Sequence, residues 1–168
     1  MTTDEIRALF AKLSDALAQE GEHGELGIVG GAVMCLVYNA RAATKDVDAI
    51  FRPSKVIRRL AQRIATEEGL PSDWLNDAAK AYLQEGFTRE EVLSLAHLRV
   101  WAPDARYMLA MKCVSARWDS FDQDDVRFLI HHLNLKNAAS VFELIENYYP
   151  KKVIPPKTQF FIEEIMEQ

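Results

Sequence analysis

The chain has 168 residues, of which 49% are hydrophobic and 27% charged, the composition of an ordinary globular protein. The net charge is −5, and the sequence has no long run of basic residues. The chain therefore does not fit a protein that coats duplex DNA. No window approaches the ~18 apolar residues of a membrane span, and the first residues lack the basic and apolar segments of a signal peptide, so we expect a cytoplasmic protein with no membrane partner.

Both cysteines, Cys35 and Cys113, lie in apolar segments with helical spacing. Cysteine in such surroundings behaves as a small apolar residue, and the cytoplasm keeps thiols reduced. We therefore expect two buried free thiols and no disulfide.

The first half of the chain carries the pattern of a small sheet with covering helices. A capping box of Thr2 and Glu5 opens an amphipathic helix, and a short apolar run is broken by Gly30-Gly31. The predicted elements are a helix over 3–20, a strand over 26–29, a buried helix after the glycines, a strand over 44–51 closed by Pro53, and a helix over 54–68.

The second half has a mainly helical pattern. Thr88 and Glu91 have the spacing of another capping box, which predicts a helical turn reaching Leu95. The other predicted elements are a short helix from Ser72, a strand over 97–102, a helix from Pro103 to about Arg117, a helix capped by Asp122, and helices near 138–147 and 157–167. This is the pattern of an α+β fold, with a core over 1–102 and a helical part over 103–168 packed on it as one compact unit.

Gly30-Gly31 stands between the first predicted strand and a helix. Glycine lets the backbone approach a ligand closely, and the first N–H groups of a helix point outward toward an anion. The position predicts a phosphate site. The alternative, which the glycine pair alone favours, is a tight turn that needs a positive φ.

Asp46 and Asp48 are two residues apart in the second predicted strand. Residues i and i+2 of a strand project to the same face, so the two carboxylates would lie side by side while Val47 turns into the core. Such a pair is costly to bury without a cation, and Mg²⁺ prefers one or two carboxylates together with substrate phosphates. The pair predicts a site for Mg²⁺ or Mn²⁺, and the alternative is a solvated strand end with two exposed acids.

Gly30, Gly31, Thr44, Asp46 and Asp48 together resemble the signature of the nucleotidyltransferase (polymerase-beta-like) superfamily. They are most similar to its minimal members, which are found as abortive-infection and toxin–antitoxin partners. The resemblance implies a small mixed sheet of the nucleotidyltransferase type with flanking helices. It also implies that Asp46 and Asp48 are catalytic metal ligands and that Gly30, Gly31 and Thr44 bind the nucleotide.

A second block, MLAMKCVSAR followed by DQDDVRFL, resembles a further motif of the same group, with matches at Lys112, Arg117, Asp122 and Asp125. Lys112 stands on an apolar helical face, where a lysine either extends outward to water or meets a phosphate. The resemblance favours a catalytic and nucleotide-binding Lys112. Arg117 and Asp122 fit a structural ion pair at a helix junction better.

Transferases of this superfamily commonly use a third carboxylate from a later strand of the same sheet. The strand predicted over 97–102 offers no acid on the face opposite Leu98 and Val100. The flanking acids, Glu90, Glu91 and Asp104, are of the kind that the helix dipole favours at helix starts. This departure puts the activation of an attacking hydroxyl in doubt.

The sequence therefore predicts Mg-dependent transfer of a nucleoside monophosphate from a nucleoside triphosphate such as ATP to a hydroxyl on protein, RNA or a small molecule. Two other classes stay open. One is a catalytically degenerate nucleotide-binding protein that serves as one partner of a toxin–antitoxin pair. The other is a helical adaptor in which both motifs are accidental, and it would show no metal-dependent nucleotide binding.

Overall fold

A computed structural model of the chain describes residues 1–115 and 120–167. The chain divides into two compact units. The first comprises Met1–Ala81 and Arg89–Pro103, and the second comprises Tyr82–Thr88 and Asp104–Gln168. None of the helices described in either unit is both long enough and apolar enough to cross a membrane.

The first unit is built on a mixed sheet, in which five strands are described. These strands are β1 (Gly24–Val29), β2 (Val47–Arg52), β3 (Leu75–Asn76), β4 (Arg89–Ser94) and β5 (Leu98–Pro103). Their spatial order is β3-β2-β1-β5-β4. Strand β1 runs antiparallel to β2 and parallel to β5, and β3 and β4 flank them at the two edges. The predicted α+β fold is thus confirmed, together with its three predicted strands.

Helices α1 (Thr3–Gln19), α2 (Gly30–Leu36) and α3 (Ser54–Glu68) belong to the same unit. Helix α1 opens with the predicted capping box of Thr2 and Glu5. The helices pack on the sheet because alternate strand residues form an apolar layer. Its fully buried members include Leu26, Ile28, Val47, Ala49, Val100 and Ala102. This packing fixes the ends of β1 and β2, where the predicted site residues lie.

Two segments that we predicted to be helical are strands, so those predictions were wrong. The segment from Ser72 forms β3 and then a 3₁₀ turn over Ala78–Tyr82. The buried indole of Trp74 holds this segment against α3 by donating a hydrogen bond of 2.9 Å to the carbonyl of Ala61. The segment from Thr88 forms β4, because pairing with β5 satisfies its backbone and overrides the local capping-box spacing.

The second unit contains α4 (Ala105–Ser115), α5 (Ser120–His132), α6 (Ala138–Glu146) and α7 (Pro156–Glu167), which match the predicted helices. Asp104 opens α4, since its Oδ1 accepts hydrogen bonds from the backbone N–H groups of Arg106 and Tyr107. The interpretation of Asp104 as a helix-start residue is confirmed. Helix α5 begins two residues before Asp122, so Asp122 lies in its first turn and does not cap it. Arg117 lies outside the described residues.

Buried polar groups hold the second unit together around two tyrosines. The hydroxyl of Tyr149 donates to the carbonyl of Tyr82 at 2.5 Å, and the hydroxyl of Tyr107 accepts from the backbone N–H of Gln84 at 2.6 Å. Burial raises the pKa of Tyr149 far above its ordinary value. Cys35 and Cys113 are buried free thiols, as predicted.

Candidate metal and phosphate site

The site begins where β1 ends and α2 starts. Val29, the last residue of β1, is paired with Asp48 of β2, so the following residue, Gly30, stands beside the aspartate. Gly30 has φ 64, in the left-handed region that favours glycine. A Cβ placed on Gly30 would lie 3.1 Å from Oδ2 of Asp48. A side chain at this position would therefore crowd the carboxylate, and glycine leaves the space beside it open.

The neighbouring Gly31 has no room for a side chain. A Cβ there would lie 2.4 Å from Oγ1 of Thr44 and 3.0 Å from Nη1 of Arg41. Thr44 is buried, and its hydroxyl donates a hydrogen bond of 3.1 Å to the carbonyl of Asp46. Thr44 thus links the glycine turn to the residue that precedes β2, and the guanidinium of Arg41 adds a cation at the same turn.

Asp46 and Asp48 lie on either side of Val47, which is fully buried, while both aspartates are half-buried. Alternation along a strand places such flanking residues on the face opposite the core. The side-chain amide of Asn76 lies 3.4 Å from Oδ2 of Asp46, and Asn76 is also the residue of β3 that pairs with Asp48. The two aspartates therefore share one part of the sheet with Asn76 and the Gly30 turn.

This set of groups has the chemistry of a site for a hard divalent cation. Two half-buried carboxylates flank Val47, and one of them, Asp48, stands beside the glycine turn. Mg²⁺ takes carboxylate oxygens of this kind together with phosphate oxygens. Among residues 1–115 and 120–167, no group of three or more histidine, cysteine or acidic side chains is arranged to hold a metal ion. The fit is thus to a two-carboxylate site whose remaining ligands come from substrate and water.

Three further carboxylates lie on the described strands of this sheet, on Glu25, Glu90 and Glu91, and all are too distant to complete the site. Glu25 is paired with Arg52, four residues along β2 from Asp48, which corresponds to roughly 13 Å. Glu90 and Glu91 are both on β4, which is three strands away from β2, a distance of about 14 Å. Glu25 also accepts a hydrogen bond of 2.7 Å from the indole of Trp101. None of these three glutamates is a third ligand for a cation bound at Asp46 and Asp48.

Lys112 belongs to the second unit, whereas the other predicted site residues belong to the first. Its ammonium lies 3.0 Å from Oδ1 of Asp122 and 2.7 Å from Oδ2 of Asp125. The side chain of Lys112 is 10% exposed and that of Asp125 only 2%. Two carboxylates thus balance the lysine inside its own unit. Asp122, for which we predicted a pair with Arg117, is a partner of Lys112.

Sequence reasoning missed two residues of the site. Arg41 was passed over because it lies in the loop between α2 and β2, although a basic residue shortly before a pair of acids at a glycine turn is a usable pattern. Asn76 was missed because the segment from Ser72 was interpreted as a helix. Only the pairing of β3 with β2 brings Asn76 to the aspartates.

A protein-family model described as "Nucleotidyltransferase of unknown function (DUF6036)" matches residues 4–151. Neither a curated protein nor a solved structure matches the chain. The family match confirms the relationship to nucleotidyltransferases that we predicted from the glycine pair and the two aspartates. The closer likeness to toxin–antitoxin partners stays a prediction.

Proposed function

The chain belongs to the family of nucleotidyltransferases of unknown function (DUF6036), and we propose that it transfers a nucleoside monophosphate from a nucleoside triphosphate to a hydroxyl acceptor in the presence of Mg²⁺ or Mn²⁺. The acceptor belongs to a protein, an RNA or a small molecule. The family match supports the reaction class, and the site in the first unit supports the residues.

One observation carries the proposal: Gly30 stands beside the Asp48 carboxylate, so close that a Cβ on Gly30 would lie 3.1 Å from Oδ2 of Asp48. A phosphate bound at the glycine turn and a cation bound by the aspartates would therefore be neighbours. A nucleotidyltransferase needs its cation site next to its phosphate site, because the cation must bind the phosphate oxygens of the nucleotide.

Each residue of the site has a role that follows from its position. Asp46 and Asp48 would hold the cation, and the backbone of Gly30 and Gly31 would approach the phosphates. Thr44 keeps the turn before Asp46 in place through its hydrogen bond to the Asp46 carbonyl. Arg41, beside Gly31, would add positive charge next to the phosphates. A bound Mg²⁺ would supply charge neutralisation as pyrophosphate leaves.

Lys112 is proposed as a further phosphate-binding residue on the resemblance alone. Its two ion pairs with Asp122 and Asp125 favour a structural role. A lysine already held by two carboxylates has little positive charge to offer to a phosphate unless a carboxylate moves away.

A second function has an observation in its favour. The residue of β3 paired with Asp48 is an amide, Asn76, and not an acid. Among residues 1–115 and 120–167, no third acidic side chain joins Asp46 and Asp48 in a metal-binding group. A site of this kind could hold a cation and a nucleotide without activating the acceptor hydroxyl. The protein would then be a nucleotide-binding partner, for example one half of a toxin–antitoxin pair.

The test is incubation of the purified chain with ATP labelled at the α-phosphate and Mg²⁺ or Mn²⁺, with total RNA and cell protein as acceptors. Labelled product together with metal-dependent ATP binding supports the transferase. Binding without product supports the nucleotide-binding partner. No metal-dependent binding of ATP, GTP, CTP or UTP would overturn both. We place either activity in the cytoplasm, because buried free thiols fit a reducing compartment.

A further inference from the structure

We infer that Asn76 is a positioning residue for Asp46, which holds one oxygen of that carboxylate and so aims the other toward the cation. The inference rests on the proposed cation site at Asp46 and Asp48. It adds a residue from β3 to a site whose motif residues lie in α2, in the loop before β2 and in β2 itself.

The amide of Asn76 is fixed in orientation by its contacts. Its Oδ1 accepts a hydrogen bond of 3.0 Å from the backbone N–H of Ala78, and its Nδ2 lies 3.3 Å from the carbonyl of Asp73. Because the backbone N–H of Ala78 needs an acceptor, the side-chain oxygen of Asn76 must face it, and the side-chain nitrogen of Asn76 must face the other way. That nitrogen is 3.4 Å from Oδ2 of Asp46. The donor toward the carboxylate is thus selected by the turn that follows β3.

The position of Asn76 is fixed by the fold as well. Asn76 pairs with Asp48, and the preceding pair joins Leu75 to Val47, so β3 is in register with β2 at the site. The backbone N–H of Val47 also donates to the carbonyl of Trp74 at 2.7 Å. Trp74 is itself buried and bonded to α3. Asn76 therefore stands on a supported strand and is not a mobile surface amide.

Residues that hold a metal ligand by a hydrogen bond orient its lone pairs and reduce the rearrangement needed for binding. A neutral amide suits this role beside two carboxylates, because it donates without adding a third negative charge. Loss of such a partner typically weakens metal binding by about 10- to 100-fold. The cation affinity should therefore depend on Asn76, although Asn76 need not touch the cation.

The experiment titrates Mn²⁺ calorimetrically into the full chain and into Asn76→Ala, with thermal unfolding measured alongside. The matched control is Asp77→Asn, which changes the next residue and removes the surface ion pair with Arg58 at 2.8 Å but leaves the Asp46 contact in place. We expect Asn76→Ala to bind Mn²⁺ about 10- to 100-fold more weakly. The control should bind like the parent.

A second variant covers the case in which Asn76→Ala fails to fold. Asn76→Asp keeps the acceptor for the Ala78 N–H but replaces the donor by a carboxylate facing Asp46. Without metal, we expect Asn76→Asp to melt at a lower temperature than the parent, and Mn²⁺ should raise its melting temperature by more than it raises that of the parent. The decrease in the metal-free melting temperature should be smaller when Asp46→Asn is also present.

The outcomes separate this inference from the proposed function. If the parent binds no Mn²⁺, the proposed site fails and the inference fails with it. If the parent binds Mn²⁺ and Asn76→Ala binds it equally well, the inference alone is overturned. If only Asn76→Asp can be measured, the inference is overturned when its metal-free melting temperature, and the change in that temperature on adding Mn²⁺, both equal those of the parent.

Discussion

Gly30 and Asp48 are neighbours at the end of the β1–β2 ladder, because the pairing of Val29 with Asp48 places Gly30 beside the carboxylate. Glycine is needed there for two separate reasons. Its φ of 64 is unfavourable for any residue with a Cβ, and a Cβ would stand 3.1 Å from Oδ2. The first reason concerns folding and the second concerns the site, so they can be separated by experiment.

We expect Gly30→Ala to lower the free energy of unfolding by about 1–2 kcal/mol, the cost of a left-handed conformation, and also to abolish binding of Mg²⁺ with ATP. The matched control is Gly69→Ala at the end of α3. Gly69 has φ 66, but a Cβ there would meet nothing within 4 Å. Urea unfolding and calorimetric titration of both variants make the comparison.

The control should lose a similar amount of stability and keep its ligand binding. Equal ligand binding by the parent and Gly30→Ala would show that the contact with Asp48 has no part in binding. A loss of binding in Gly69→Ala as well would assign the effect to general destabilisation.

The double change Asp46→Asn with Asp48→Asn tests the two carboxylates directly. It keeps the shape of both side chains and removes their mutual repulsion, so we expect the metal-free free energy of unfolding to stay equal or rise slightly. Metal-dependent ATP binding should disappear, because the cation loses its protein ligands. The measurements are a urea melt and a titration of Mg²⁺ with ATP.

A control for the change in net charge is Asp15→Asn with Asp73→Asn, since both of these aspartates are exposed in the same unit. That variant should bind ATP and Mg²⁺ like the parent. If the Asp46 and Asp48 variant binds equally well, the carboxylates are not ligands. If it fails to fold, they are structural.

Strands β1, β2 and β5 and the glycine–aspartate part of the candidate site were predictable because each has a local pattern. The alternation around Val47 identified a strand with one buried face, and Gly30 broke the apolar run that became β1. Both patterns reflect the burial of neighbouring residues in the chain, so no knowledge of the partner strand was required.

Strands β3 and β4 were not predictable in the same way. Strand β3 has two residues, and it exists because Trp74 is anchored on α3 and because β2 supplies a partner. On β4 the exposed acids Glu90 and Glu91 resemble a helix start, and only pairing with β5 settles the conformation. Asn76 was missed for this reason. Its role depends on a long-range pairing that leaves no local periodicity.

Alkaline pH should destabilise the second unit through Cys113. Burial raises the pKa of this thiol from 9.0 to about 12, because a thiolate would be poorly solvated there. The folded chain therefore keeps a proton that the unfolded chain releases above pH 9.0. The free energy of unfolding should fall between pH 9 and 12, by up to about 1.4 kcal/mol per pH unit from this group.

Urea unfolding at a series of pH values, for the parent and Cys113→Ala, measures this contribution. Below pH 9, the free energy of unfolding of Cys113→Ala should differ from that of the parent by a constant amount. Above pH 9, it should fall less steeply with pH than that of the parent. Tyr149, whose pKa burial also raises, contributes a decline in both proteins from about its ordinary value of 10.0 upward. Parallel curves for the two proteins would contradict the assignment to Cys113.

The role of Lys112 can be tested through its partner Asp125. A matched control lies next to Asp125 on the same helix, at Asp124. Asp125 is 2% exposed and ion-paired with Lys112, whereas its neighbour Asp124 is 73% exposed and pairs with Arg127. We expect Asp125→Asn to lower the free energy of unfolding by about 1–3 kcal/mol, because a buried charged hydrogen bond is lost. Asp124→Asn should change the free energy of unfolding by less than about 0.5 kcal/mol, as is usual for an exposed pair.

Calorimetric titration of ATP with Mg²⁺ then separates the two roles of the lysine. If Lys112 is structural, Asp125→Asn leaves the ATP affinity of the folded protein unchanged. If Lys112 binds phosphate, releasing it from Asp125 should tighten ATP binding. That tightening would contradict the structural role.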